Sequence, residues 1–523
     1  MQYNSKVEIF DTTLRDGSQM EGISFSLEDK LRITEKLDGF GIHYIEGGWP
    51  GSNPKDLEYF RRVKELSLQH AKVAAFGSTR RPDTVPEKDF NLNSLVESEA
   101  PVATIFGKSW DLHVTAALHT TLEENLRMIE ESVEYLREHG FFVIYDAEHF
   151  FDGYRSNPGY AIATVKAAER AGAQRIVLAD TNGGTLPGEI RRIVERVKKE
   201  LHVPIGIHAH NDSEMAVANS LIAFEAGATH IQGTVNGYGE RCGNANLVSI
   251  IPALELKYGV KVVGHEKLKK LGELARFVAE LANREIPSNQ PYVGRSAFAH
   301  KGGIHVSAVM KEPRTYEHVS PELVGNKRRV LVSELSGKSN LLYKAEEMGI
   351  EIDTEEARRM VEKIKALEYD GYYFEGAEAS LQLLVERMKG RYKPPFELEI
   401  ARVVIELLPD REPITEATVR IKVHGKEIHT ASTGNGPVNA LDLALRKALK
   451  NFYPELDGVR LVDYKVRVLE SNRGTASKVR VLIESAGDSK IWGTVGASTN
   501  IIEASWNALV DSIGYFLHGM QGG

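Results

Sequence analysis

Two histidines one residue apart, His208 and His210, end an apolar run in the stretch His208-Ala209-His210-Asn211-Asp212. Residues i and i+2 of a strand point to one face, so both imidazoles can reach a single cation. Such a pair also arises by chance as two strand-end histidines, so its weight depends on its company. Leu14-Arg15-Asp16-Gly17-Ser18-Gln19 follows the first apolar run of the chain. Glu148 closes another run, Asp180-Thr181 a third, and Gly237-Tyr238-Gly239-Glu240-Arg241-Cys242-Gly243-Asn244 follows a fourth. Asp16, the two imidazoles and the Asn244 amide oxygen form a mixed nitrogen–oxygen set that leaves positions open on a six-coordinate divalent ion. Zinc, manganese or cobalt suits that set and magnesium is compatible with it. The absence of thiolates argues against a closed structural zinc site. Two open positions match a chelating 2-oxo acid, and Arg15 beside a Lewis acid matches an oxygen that becomes negative during reaction. Thr181 can hydrogen-bond the acid's carboxylate, and Glu148 is a candidate base. The competing structural readings are Asp16 as a helix cap, Asn244 and Thr181 as turn formers, and Arg15 and Glu148 as surface ion-pair partners. Cys242 has no evident nucleophilic role.

Positioning these residues requires a particular scaffold. Strands are predicted at 7–12, 43–47, 72–77, 102–106, 142–148, 175–180, 204–210 and 229–234, with helices at 27–38, 122–138, 160–171 and 213–225 between them. Eight strands alternating with helices predict an α/β fold of the (β/α)₈ TIM-barrel type. No G-x-G-x-x-G follows the first strand, which argues against an open dinucleotide-binding sheet. In a barrel the chemistry sits at the C-terminal ends of the strands, where most of the polar clusters fall. Closure brings strand 8 beside strand 1, so Asp16, His208, His210 and Asn244 can converge on one rim. Metal-dependent hydrolases of barrel type carry His-x-His on the first strand; here it falls on the seventh.

The pattern from 267 to 393 is mostly helical, and Pro394-Pro395 marks a break that no helix crosses. Strands are then predicted at 397–407, 417–423 and 426–433 with a helix at 438–450. A similar series follows at 464–470, 478–484 and 490–495 with a helix at 501–516. Val419-Arg420-Ile421 matches Val479-Arg480-Val481, and Ala444-Leu445 matches Ala508-Leu509, so the segment reads as a duplicated βββα unit in an α+β domain. The expected division is a catalytic barrel at 1–265, a helical linker at 266–394 and a C-terminal domain at 395–523.

Composition restricts the classes open to the chain. Lys and Arg number 65 against 73 Asp and Glu, a net charge of -8, and no basic block offers a footprint for nucleic acid. With 42% apolar and 26% charged residues the 523-residue chain can bury a large core, and no apolar run reaches a membrane span of about 18 residues. A single cysteine excludes an internal disulfide framework, and the first residues lack a basic-then-apolar leader, so a cytoplasmic enzyme is expected.

Four stretches resemble one known family, the 2-isopropylmalate and homocitrate synthases. Leu14-Arg15-Asp16-Gly17-x-Gln19 with Lys30 is similar to its first signature, and His208-x-His210-Asn211-Asp212 to its second. Gly239-Glu240-Arg241-x-Gly243-Asn244 is similar to its third loop, and Ala297-Phe298-Ala299-His300-x-Gly302-Gly303-Ile304-His305 to its linker. Within the family, the stretches from Glu46 to Asp56 and from Gly107 to His113 resemble the long-form citramalate synthases. One departure stands out: the second signature usually has Gly two residues after the Asp, where this chain has Ser213 and Glu214.

The resemblance implies an acyltransferase that condenses acetyl-CoA with pyruvate and releases (R)-citramalate and CoA, the first step of a pyruvate route to 2-oxobutanoate and isoleucine. It implies Asp16, His208, His210 and Asn244 as metal ligands, Arg15 on the keto oxygen, Gln19 and Thr181 as substrate-binding residues, and Glu148 as an acidic active-site residue. His305 and Tyr316 match a linker pair that reaches the partner's active site in an interlocked homodimer. The C-terminal unit resembles the family's regulatory domain, with isoleucine as the implied effector. Two alternatives stand beside this: a 2-isopropylmalate or homocitrate synthase using a larger 2-oxo acid, with Ser78, Phe106 and Asp146 near the deciding pocket, and an amino-acid sensor with an inert barrel.

Overall fold

In the computed structural model, which describes residues 6–521 except 334, 408, 470–473, 475, 488 and 489, eight short β-branched segments form a closed parallel barrel. The strands are β1 (Glu8–Asp11), β2 (Tyr44–Gly48), β3 (Lys72–Ser78), β4 (Val102–Lys108), β5 (Phe142–Glu148), β6 (Arg175–Asp180), β7 (Ile205–Ala209) and β8 (His230–Gly233). They pair in sequence order, and β8 closes onto β1 in the register Glu8↔His230 through Asp11↔Gly233. Helices such as Leu27–Phe40, Leu122–Glu138 and Pro187–Lys198 cross between strands, their apolar stripes packed on the outside of the sheet. Their starts are encoded locally. Ser26 and Asp29 form a capping box, and Asn53, Asp89, Thr121 and Asn157 cap four further helices, each worth about 1 kcal/mol.

The period-2 alternation of the strands divides the barrel into an outer layer and a lumen. Phe10, Tyr44, Ala74, Val102, Ile144 and Val177, one from each of β1–β6, form a separate apolar cluster that plugs the lumen. Two residues further along each strand the same face carries Thr12, Glu46, Phe76, Thr104, Asp146, Ala179, His208 and Gln232. A polar row thus stands directly above an apolar floor, at the C-terminal end of the strands.

Most predicted elements are present with ends moved by one to three residues. The helix expected over 213–225 begins at Ala216, because Ser213 and Glu214 form a turn in which Glu214 takes φ +59°. The strand expected over 417–423 begins at Ile414, since Thr415 and Glu416 pair with Gly434 and Thr433. The strand expected over 464–470 runs Arg460–Val468, and residue 470 lies outside the described residues.

Contact density divides the chain into two units: 1–298 with 319–328, and 299–318 with 329–523. The second unit holds a two-stranded parallel pair, β9 (Ala299–His300) with β10 (Arg329–Val330), and helices Gly303–Lys311, Lys338–Glu347, Thr354–Tyr369 and Glu378–Met388. Two antiparallel sheets follow. β11 (Glu397–Glu406), β12 (Ile414–Val423) and β13 (Lys426–Gly434) precede helix Pro437–Leu449, and β14 (Arg460–Val468), β15 (Val479–Ala486) and β16 (Ile491–Ser498) precede helix Ile501–Gln521. Ala417, Val419, Ile421 and Val423 alternate along β12 and bury against Ala440, Leu441, Ala444 and Leu445 of the helix. Among the described residues, no helix is long and apolar enough to cross a membrane.

Candidate active site

The chain leaves β1 through a tight turn in which the Arg15 and Gly17 amides donate to the Thr12 carbonyl and the Asp16 amide donates to Thr12 Oγ1. This turn aims Asp16 back over the lumen. Asp16 caps no helix: the short turn after it receives no side-chain hydrogen bond. Across the closure, His210 forms an isolated bridge with Asn244. The loop after β8 can bring Asn244 there because it is glycine-rich. A Cβ at Gly239 would meet the Asn244 amide at 2.1 Å, and one at Gly243, φ +90°, would meet the Gly237 carbonyl at 2.0 Å.

The four residues named from the sequence therefore lie together. His208 Nε2 is 3.4 Å and His210 Nε2 3.9 Å from Asp16 Oδ2, and the two Nε2 atoms are 3.3 Å apart. All four side chains are buried, and Asp16 Oδ1, His210 Nδ1 and Asn244 Oδ1 have no hydrogen-bond partner. Unpartnered buried polar atoms cost about 1–3 kcal/mol each, so the orphaned Asp16 Oδ1 and Asn244 Oδ1, on residues joined to two imidazoles whose Nε2 atoms face Asp16, fit a cation that accepts nitrogen and oxygen ligands. Asp16, His208 and His210 by themselves meet metal-site spacing, with ligand atoms within 4.8 Å of one another. Burial pushes the Asp16 carboxyl up, but the Arg15 guanidinium and His208 outweigh it and keep the group ionised. Burial and the neighbouring His208 lower His210 to about 4, which leaves its imidazole neutral and able to ligate.

Arg15 is no surface ion-pair partner. Its Nε donates to Glu46 Oε2 at 2.7 Å, its Nη1 to Asp16 Oδ2 at 3.2 Å, and its guanidinium lies 3.7 Å over the Phe76 ring. Phe76 stacks on Phe106, and Trp49 meets both rings edge-on. These groups wall a cavity of about 210 Å³ that also takes in Gln19, Thr181, Asp146 and Glu148 beside the Asp/His/His cluster. Thr181 Oγ1 accepts the His149 amide hydrogen at 2.9 Å, leaving its own hydrogen to donate. Glu148 is ion-paired with Lys108, so a role as base requires release from that lysine. Burial pushes the Asp146 carboxyl up to about 7, with His208 as the main opposing influence. His305 and Tyr316 belong to the second unit, where their rings stack with centroids 4.1 Å apart. Ser78, named from the sequence as near the pocket, hydrogen-bonds the Thr79 carbonyl and does not line the cavity.

Comparison with known proteins gives this geometry a family. Residues 6–278 match the HMGL-like family model, 292–371 the homocitrate synthase post-HMGL domain-like model, and 375–517 the LeuA allosteric (dimerisation) domain. An (R)-citramalate synthase from Aquifex aeolicus is 60% identical over 516 residues, 98% of each chain. One from Geobacter sulfurreducens is 58% identical over 98% of each. The chain belongs to the (R)-citramalate synthase family. A probable 2-isopropylmalate synthase from Methanopyrus kandleri is more distant, at 34% identity over 97% of this chain and 98% of its own. The HMGL-like family is metal-dependent, and this chain carries a buried Asp/His/His group.

The departure at Ser213-Glu214 now has a physical meaning. Glu214 occupies φ +59°, a conformation that glycine adopts without strain, while Arg241 clamps the preceding Asp212 through two bonds of 2.8 and 3.0 Å. Sequence reading missed Glu46, Phe76, Trp49 and Gln232 as groups that shape the site. A usable signal existed: Glu46, Phe76 and Gln232 share strand parity with the lumen residues Tyr44, Ala74 and His230.

Proposed function

We propose that the protein condenses acetyl-CoA with pyruvate and hydrolyses the thioester so formed, giving (R)-citramalate and CoA. The observation that carries this is full-length identity of up to 60% with (R)-citramalate synthases in a chain with a buried Asp/His/His cluster on the barrel rim. Asp16, His208, His210 and Asn244 would hold a divalent cation, zinc, manganese, cobalt or magnesium. When bound, the ion supplies Lewis acidity toward a 2-oxo acid.

The chain's own residues do the rest. Thr181 donates its hydroxyl hydrogen to the pyruvate carboxylate, and Gln19 contacts the same substrate. Arg15, held by Glu46 and Phe76, faces the keto oxygen and stabilises the negative charge that forms there on C–C bond formation. Glu148, once released from Lys108, or His305 takes a proton from the acetyl methyl; general-base help of this kind is worth about 10²–10⁴-fold. The resulting carbanion adds to C2 of pyruvate. His305 and Tyr316 then orient the water that cleaves the thioester, reaching the site from the linker of the partner subunit in a homodimer.

The working division is catalysis at 1–265, linkage at 266–394 and regulation at 395–523. The match to an allosteric dimerisation domain supports a regulated dimer, and isoleucine is the proposed effector. Cytoplasmic location fits an enzyme supplied by acetyl-CoA and pyruvate. The test is release of free CoA from acetyl-CoA with pyruvate, 2-oxoisovalerate or 2-oxoglutarate, with and without chelator, the product identified by mass. Chelator-sensitive turnover fastest with pyruvate is the expected result. Preference for a larger acid would refute the substrate assignment, and no CoA release from metal-replete protein would favour a sensor.

A further inference from the structure

We propose that Gln232 is a positioning residue which, braced by Asp146, fixes the ring orientation and tautomer of His208 for metal binding. The inference rests on the metal-site reading above. Gln232 lies at the centre of β8, fully buried, two residues above His230 on the lumen face. Its Nε2 donates to Asp146 Oδ1 at 3.1 Å, and its Oε1 accepts from His208 Nδ1 at 2.9 Å.

The order of this three-residue chain is set by donor–acceptor chemistry. An amide presents hydrogens on one side and lone pairs on the other, and a carboxylate accepts. In its carboxylate form Asp146 turns the Gln232 nitrogen toward itself, which leaves the amide oxygen facing His208. That oxygen can only accept, so His208 must carry hydrogen on Nδ1. The lone pair of Nε2 is then the one free to coordinate, and Nε2 is the atom that points at Asp16 and His210. Nothing else among the described residues is found bonded to His208 Nδ1. His210 supplies an internal contrast, because its Nδ1 is buried without a partner. One of the two imidazoles is thus held from behind and the other is not. Bonds of this kind behind a ligating histidine fix its tautomer and raise its basicity, and losing them costs about 10–100-fold in metal affinity. Asp146 also lines the substrate cavity, so the brace joins the wall of that cavity to a metal ligand.

The experiment measures zinc affinity of the full chain by competition with a chromophoric chelator. Gln232→Leu keeps a branched side chain of similar bulk, one atom shorter, and removes both bonds; it should weaken zinc about 10–100-fold while the thermal midpoint of the metal-free protein stays within a few degrees. Asp146→Asn lets the amide turn either way and should give a smaller loss, about 3–10-fold by the same reasoning. A purely structural role would lower the metal-free midpoint and leave affinity per folded molecule unchanged. In the cobalt-loaded wild-type protein, the paramagnetically shifted N–H resonance of His208 should be protected from solvent exchange, and in Gln232→Leu it should be lost to exchange. If Gln232→Leu does not fold, Asp146→Asn is read by the same two measurements. Affinity within twofold of wild type for the variant that folds, with the resonance still protected, would overturn the brace. Failure of the wild-type protein to bind zinc or cobalt would instead overturn the metal site.

Discussion

Replacing Glu46 tests whether Arg15 owes its catalytic orientation to a buried partner. Glu46 is fully buried, and its Oε2 accepts both Arg15 Nε at 2.7 Å and Thr12 Oγ1 at 2.5 Å. Glu46→Gln keeps the shape and one acceptor but removes the charge. Arg15 keeps a charge-assisted bond to the amide oxygen but loses its ion partner, a loss of about 1–2 kcal/mol. Expressed in the transition state, that is roughly 5–30-fold in kcat/KM for pyruvate. Glu46→Ala goes further, because it leaves a buried guanidinium whose remaining anionic contact is Asp16. Breaking a buried pair costs about 3–5 kcal/mol, or roughly 150–5000-fold. The guanidinium would also draw Asp16 away from the histidines, so metal content should fall together with rate. The assay follows CoA release with a thiol reagent at saturating acetyl-CoA and varied pyruvate, with bound metal measured on the same samples. The order wild type, Glu46→Gln, Glu46→Ala is the expected result. A folded Glu46→Ala protein with metal content and kcat/KM within threefold of wild type would show that Arg15 needs no such anchor.

Asp16→Ala should lose both bound divalent metal and turnover; an active, metal-free variant would sink the site assignment. Phe106→Ala opens the aromatic wall of the 210 Å³ cavity. Its preference for pyruvate over 2-oxoisovalerate should fall by about tenfold or more, given about 1–3 kcal/mol per methyl, and an unchanged ratio in a competition assay would reject the wall. His305→Ala should slow turnover while pyruvate binding persists, and an unaltered kcat would reject its role in hydrolysis. At the opposite end of the barrel, burial raises the Glu8 carboxyl but His230 and Arg175 outweigh it and lower the group to about 2 from 4.5. The folded state therefore holds the ionised form, and the gain, about 2 kcal/mol after allowance for solvent, is complete above about pH 5 and lost as pH falls through 4.5 toward 2. Glu8→Gln should unfold at lower temperature than wild type at pH 7 and no differently near pH 2; a gap that persists at pH 2 would assign the effect to packing.

The barrel was legible because its strands alternate with helices whose caps are written locally, as at Ser26-Asp29 and Asn157. The Asp16, His208, His210 and Asn244 convergence followed from counting strands and closing the ring, since the contributing segments stand at its seam. Other contributions were less visible. Glu46 and Gln232 sit inside short β-runs with no neighbouring motif, and only parity relative to the lumen marks them. The pairing of Glu148 with Lys108 joins two strands 40 residues apart, a contact set by the β4–β5 register. The start of the helix at Ala216 was misplaced because an expected turn glycine is Glu214, whose positive φ no composition rule reveals.

The polar row above the lumen floor would be costly if left unpaired, and much of it is paired internally, while Glu46 Oε1 and Thr104 Oγ1 lack a partner. Thr12 and Arg15 bond Glu46, and Gln232 bonds both Asp146 and His208. The apolar plug beneath, with Phe10, Tyr44 and Ile144, supplies burial that offsets the desolvation of that row, at about 1.5–3 kcal/mol for each large side chain. Asp16 Oδ1 and Asn244 Oδ1 are left without a partner on the segments where β7 and β8 meet β1, and Asp16, His208 and His210 line the cavity there. A residue chosen only for stability would have been paired or apolar there. Their cost is tolerated because a ligand removes it, which is why occupancy of this one point should raise the stability of the barrel as well as switch on its chemistry.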